Sequence, residues 1–142
     1  MTAKDLVPLE ESYATALGRA MFIFSRLEWQ AVWCCEKINP GCIAPLSKRT
    51  AGGVSKALNS AIKAAPDAAK QSLQDAAIRF GELVEERNGL AHGKPCTAPG
   101  GEQRLSRHGT IWTHDLIDKA ADEFAVCGQT LNTIFYEHLN EL

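Results

Sequence analysis

The sequence predicts an all-α protein: a four-helix, up-and-down-like bundle with a long loop or small hairpin between its third and fourth helices. Three observations point there. Apolar residues recur at three- and four-residue steps through four separate stretches, the spacing that puts them on one face of a helix. Asn39-Pro40-Gly41 and Pro66 interrupt that rhythm at the joints, where proline removes a backbone donor and disfavours helical geometry just before it. The rhythm is lost for longer only between Gly93 and Trp112, where Pro95, Pro99, Gly100, Gly101 and Gly109 gather. A chain of 142 residues is the length of one domain, spanning 1–142, and can bury roughly two thirds of its unfolded surface.

The first helix is expected from about Leu9 to Ile38, on Leu9, Tyr13, Leu17, Ala20, Phe24, Leu27, Ala31, Cys34 or Cys35, and Ile38. Met21, Phe22, Ile23, Trp29, Val32 and Trp33 widen its stripe beyond what one neighbouring helix covers, so part of it is expected to pack on a second copy of the chain. A second, weaker helix is expected near Ser47 to Ala65. Gly52 and Gly53 cost it about 1 kcal/mol each in propensity and are expected to fray its start or set its first turns apart as a separate turn. The third runs from about Asp67 to Ala91, with Asp67 favoured in the first turn by the helix dipole. Between Gly93 and Trp112, Gly100-Gly101 is a candidate turn, with Gln103 to Ser106 and Thr110 to Trp112 as short extended pieces. Thr113 is a natural N-cap for the fourth helix, whose stripe of Leu116, Ala120, Phe124, Cys127, Leu131, Ile134 and His138 carries it to about Leu139.

Composition narrows the function. With 45% hydrophobic and 23% charged residues, the chain is of ordinary globular type. The run Ala20 to Phe24 is far too short to cross a bilayer, and Lys4, Asp5, Glu10 and Glu11 stand where a signal peptide needs an apolar core. A cytoplasmic protein without membrane association is expected. Five cysteines, an odd number without a C-x-x-C pair, suggest neither a disulfide framework nor a zinc ribbon, and no cofactor or metal is expected. A formal net charge of -2 argues against broad adhesion to nucleic acid, so any RNA contact is expected to be local.

The candidate site is Glu85-Glu86-Arg87-Asn88-Gly89-Leu90-Ala91-His92-Gly93. The third helix is apolar at Leu73, Ala76, Ala77, Phe80, Leu83 and Val84, and the next positions in that phase are Arg87, Asn88 and Ala91, so its inward stripe turns polar as the helix ends. An arginine, a carboxamide and an imidazole set there suit an anionic ligand. Asn88 and His92, four apart, share a face, whereas Arg87 and His92 differ by about 140°. Either the arginine reaches round or the helix loosens, and Gly89 makes loosening cheap. A structural account of the same residues is Arg87 pairing with Glu82, Glu85 or Glu86 while His92 caps carbonyls at the helix end.

The run Arg87-Asn88-x-x-x-His92 followed by Gly93 resembles the R-N-x-x-x-H motif, the four-spacer form of R-x(4 to 6)-H, of the HEPN superfamily. The aromatic first helix carrying Phe24-Ser25-Arg26-Leu27-Glu28-Trp29, and the opening of the last helix at Trp112-Thr113-His114-Asp115-Leu116, look like that family too. The resemblance implies a small helical homodimer whose two motifs meet across a two-fold axis, giving a composite site. It implies metal-independent endoribonuclease chemistry, with Arg87, Asn88 and His92 as the catalytic residues. A histidine suits proton transfer to and from the 2'-hydroxyl and the leaving oxygen, and a guanidinium suits the charge on the phosphorane.

A role as the toxin or effector of a defence or toxin-antitoxin system, with an antitoxin or other protein as partner, is an expectation that rests on the resemblance alone. The family's alternative is a non-catalytic module that binds nucleotide, RNA or a partner protein. Lys94, Arg104, Arg107 and His108 form a local basic excess after the motif and are candidate RNA contacts, with Trp112 as a stacking face or a lid on the core. Lys94 stands where one subgroup of toxins has a tyrosine two residues after the histidine, so modification at that position is not expected.

Overall fold

The computed structural model describes residues 1–142. After one 3-10 turn at Ala3–Leu6 come α1 (Glu11–Ile38), a single-turn α2 (Ile43–Leu46), and α3 (Ala51–Ala61) with a 3-10 continuation over Ile62–Ala64. Then follow α4 (Asp67–Ala91), strands β1 (Lys94–Thr97), β2 (Gln103–Arg107) and β3 (Thr110–Trp112), and α5 (His114–Ile134), which widens into a π turn over Phe135–Leu139. The protein is mostly helical, as expected, but a three-stranded sheet qualifies the all-α expectation. No helix is long and apolar enough to cross a membrane.

Local chemistry accounts for the boundaries. The Thr113 hydroxyl oxygen accepts from the Leu116 N–H at 3.2 Å, the N-cap expected of it. The second expected helix starts four residues late because Thr50 is its cap, accepting from the Gly53 N–H at 3.2 Å, while Ile43–Leu46 forms a separate turn. Gly52 and Gly53 do not fray it: they occupy the capped first turn. At the end of α4 the buried position is Leu90 and Ala91 is exposed, one residue out of the phase read from the sequence.

The sheet is antiparallel throughout, in the order β1-β2-β3. The expected extended pieces pair with Leu105 opposite Trp112, but their turn is His108-Gly109, with φ of 53° and 80°. Two successive positive φ values are those of the tight hairpin turn that matches strand twist. Gly100 and Gly101 instead lie in the connection from β1 to β2. Pro95, read from the sequence as punctuation, sits inside β1, and proline is tolerated there because β1 is an edge strand.

In the core, α1 packs chiefly on α5 and also on α3, while α4 packs on α3 and α5. Phe24 of α1 stacks on Phe80 of α4 at 6.2 Å between centroids and meets Phe124 of α5 edge-on at 5.1 Å. These three rings are at most 3% exposed, so the three long helices meet at one aromatic cluster.

The sheet is tied to this core by Tyr13, which is fully buried. Its hydroxyl donates to the Trp112 carbonyl at 2.7 Å and accepts from the Leu105 N–H at 3.0 Å. Tyr13→Phe strands both groups, and we expect it to cost about 1 to 3 kcal/mol, read as a lower chemical-denaturation midpoint with an unchanged slope.

Candidate functional site

Arg87, Asn88 and His92 line one open cleft of about 560 Å³ with Glu28 of α1 and with Arg49, Thr50, Ala51 and Gly52 at the start of α3. The helix does not loosen to achieve this. Gly89 stays helical, and α4 ends after Ala91; His92, at φ -112° and ψ 13°, leaves helical geometry with its N–H bonded to the Asn88 carbonyl at 2.9 Å. Arg87 and His92 line the same space all the same, the long arginine side chain reaching round the helix. Gly89 has a different reason: a Cβ there would lie 2.9 Å from the Trp112 ring, so the glycine admits the indole against α4. Trp112 is only 7% exposed, which makes it the lid on the core rather than a stacking platform.

Arg87 pairs with none of Glu82, Glu85 and Glu86. Its guanidinium carbon stands 5.1 Å from the centroid of the Phe24 ring, a cation-π contact that holds the side chain on the wall of the aromatic core. Its Nε is buried and has no hydrogen-bond partner. The side chains of Asn88 and His92 make no hydrogen bond within the chain either, and His92 is exposed. So His92 does not cap the helix through its ring, and the three motif residues present unspent polar groups to one space.

Glu28, which the sequence reading did not assign to the site, is the cleft's one carboxylate. Burial pushes its carboxyl above the usual range, and the nearby Arg87 charge partly offsets this. The folded protein therefore binds this proton more tightly than the unfolded chain does, so the stability linked to Glu28 is fullest below its ordinary value of 4.5 and is lost as pH rises through the raised value. Glu28→Gln, which imitates the protonated form, is expected to raise Tm at pH 7 and leave it unchanged at pH 4. A signal was legible: Glu28 lies four residues after Phe24 and so on the same helix face. Arg49 had no such signal, because its place depends on how α3 docks.

The basic residues after the motif do not form one patch. The strand register puts Lys94, Arg104 and Ser106 on one face of the sheet and Arg107, Leu105 and Trp112 on the other. Arg104 is committed to the fold: its side chain is 12% exposed, pairs with Glu10 at 3.1 Å and lies over the Tyr13 ring at 4.5 Å. Arg107 and His108, in mutual contact at 3.2 Å, face a different cleft together with Glu82, Glu85 and Glu86. Lys94 is exposed and lies two residues from His92.

All five cysteines are free. Burial pushes the Cys34 and Cys35 thiols up to about 12 and Cys127 up to about 11, which makes them core-filling groups rather than reactive ones. No group of three or more histidine, cysteine or acidic side chains is arranged to hold a metal ion. No family model matches the chain, nor does any curated protein or solved structure.

Proposed function

We propose that the protein is a HEPN-type four-helix bundle, and that its Arg87-Asn88-His92 cleft is the active site of a metal-independent endoribonuclease working as a homodimer. The observation that carries this reading is the convergence of three polar side chains, none hydrogen-bonded within the chain and one with a buried partnerless Nε, on a cleft open to solvent. His92 takes the proton from the substrate's 2'-hydroxyl, which attacks the adjacent phosphorus. The copy of His92 in the second protomer protonates the departing 5'-oxygen. Arg87 holds the phosphorane oxygens, and Asn88 positions the substrate. A role as effector of a defence or toxin-antitoxin system, restrained by a protein partner, is consistent with such an activity.

The dimer reading has its own support. On α1 the exposed Phe22 (68%), Trp29 (47%) and Trp33 (39%) form a stripe, and Trp33 meets Phe135 edge-on beyond the end of α5. Phe22 and Trp29 are seven apart and thus nearly superposed along the helix, about 100° to 120° round from Glu28, so the stripe lies on the outer face of α1, away from its buried residues. An exposed apolar stripe of this kind suits an isologous pairing of two copies, the commonest form of homodimer. Phe22→Glu is expected to turn a dimer into a monomer in light scattering and to abolish RNA cleavage, with thermal stability of the protomer little changed. A parent protein that is monomeric at micromolar concentration contradicts the composite site.

The reading as a whole is tested by incubating the purified protein with RNA and with DNA of the same sequence in the presence of a chelator. RNA is cut and DNA is left whole. RNA that binds but stays intact replaces this function with the non-catalytic one, a module that holds nucleotide, RNA or a partner.

A further inference from the structure

We infer that Arg49 is a second phosphate-holding residue of the cleft, gripping the phosphodiester next to the one that Arg87 and His92 engage; this rests on the reading of the cleft as an RNA site. Arg49 comes from a different part of the chain than the motif, in the turn before α3, yet it lines the same space as Arg87, Asn88 and His92. It has no ion-pair partner in the chain. Its stem is laid along the first turn of α3: a Cβ at position 53 would lie 3.1 Å from both Cβ and Cδ of Arg49, so Gly53 leaves the room the side chain occupies. Gly53, one of the two glycines expected to weaken the helix, thus has a use.

Charge makes the ligand anionic. The cleft gathers two guanidiniums and an imidazole against the single carboxylate of Glu28, and that carboxylate forms no ion pair within 4.0 Å. On the Arg49 side the N–H groups of Ala51 and Gly52 have no acceptor in the chain, since Thr50 caps only Gly53. Two arginines brought to one cleft from separate elements suit successive phosphates of one strand better than a single small anion, because each fork takes its own pair of oxygens. Positive charge that a protein of net charge -2 needs for RNA is thereby supplied inside the cleft.

The test uses the whole protein and a short single-stranded RNA methylated at every 2'-oxygen, which has no nucleophile and stays intact. Its affinity is followed by fluorescence anisotropy over a range of salt concentrations for the parent, Arg49→Ala, Arg49→Lys and, as a control in the 3-10 turn that continues α3, Lys63→Ala. Arg49→Ala is expected to bind about tenfold more weakly and to lose about 1 from the slope of log affinity against log salt. Arg49→Lys recovers the slope, and Lys63→Ala matches the parent. Affinity and slope equal to the parent's in Arg49→Ala, or no binding of the probe by the parent, overturn the inference. If the parent cleaves no RNA while Arg49→Ala still weakens binding, only the nuclease reading fails. If cleavage occurs and Arg49→Ala binds as the parent does, only this inference fails.

Discussion

His92→Ala is expected to abolish RNA cleavage, lowering turnover by about 10² to 10⁴, the range for loss of a group that transfers protons in the transition state. Stability should barely move. The imidazole is exposed and bonds to nothing in the chain, and the helix-ending hydrogen bond at this position comes from the backbone N–H, which alanine keeps. Circular dichroism and the denaturation midpoint should therefore match the parent. In a dimer with a composite site each protomer supplies one histidine, so a mixed dimer with one His92→Ala subunit should also be severely impaired. A variant as active as the parent sinks the assignment of His92, whatever else the cleft does.

Arg87→Ala is expected to cost about 10² to 10³ in turnover, as loss of a donor to a developing oxyanion does. Here the fold is affected as well, because the guanidinium lies on Phe24, one of the three rings at the centre of the core. Loss of that contact should cost about 0.5 to 2 kcal/mol. It also removes the charge that holds the Glu28 carboxyl down, so that group should rise further and the variant should lose more stability than the parent as pH increases above 4.5. Arg87→Lys separates the two roles. Lysine keeps the positive charge near Glu28 but not the planar fork, so activity should stay nearly as low as in Arg87→Ala while the pH dependence of stability returns towards the parent's. Asn88→Ala, which removes neither proton transfer nor charge, is expected to have the smallest effect of the three.

The long helices were legible because their apolar residues keep a strict three-and-four rhythm. α4 has the bounds read for it, Asp67–Ala91, and the Thr113 cap was read correctly. What depended on tertiary contact was not. β1 escaped notice because Pro95 is a strand breaker everywhere except at a sheet edge, and nothing local says where an edge will be. Gly89 was read as a hinge because a lone glycine weakens a helix, whereas its real neighbour is Trp112, distant in sequence. The motif residues do share a cleft, but its other wall could not be read: Glu28 comes from α1, and Arg49 from the turn before α3. Arg104 illustrates the opposite error. A basic residue in a glycine-rich loop suggested a free charge, and it is instead locked against Glu10 and Tyr13, so Arg104→Ala tests folding before it tests RNA.

The most direct test of the account is the chemistry of the ends that the parent protein leaves on RNA in the presence of a chelator. With His92 activating the substrate's own 2'-hydroxyl, every cut must close a ring at the sugar and release the 5'-oxygen. The account predicts products bearing a 2',3'-cyclic phosphate and a 5'-hydroxyl, seen as fragments that polynucleotide kinase labels directly at the 5' end and that mass spectrometry finds one water lighter than the linear phosphate. Fragments with a 3'-hydroxyl and a 5'-phosphate, or cutting that appears only when magnesium is supplied, would contradict it.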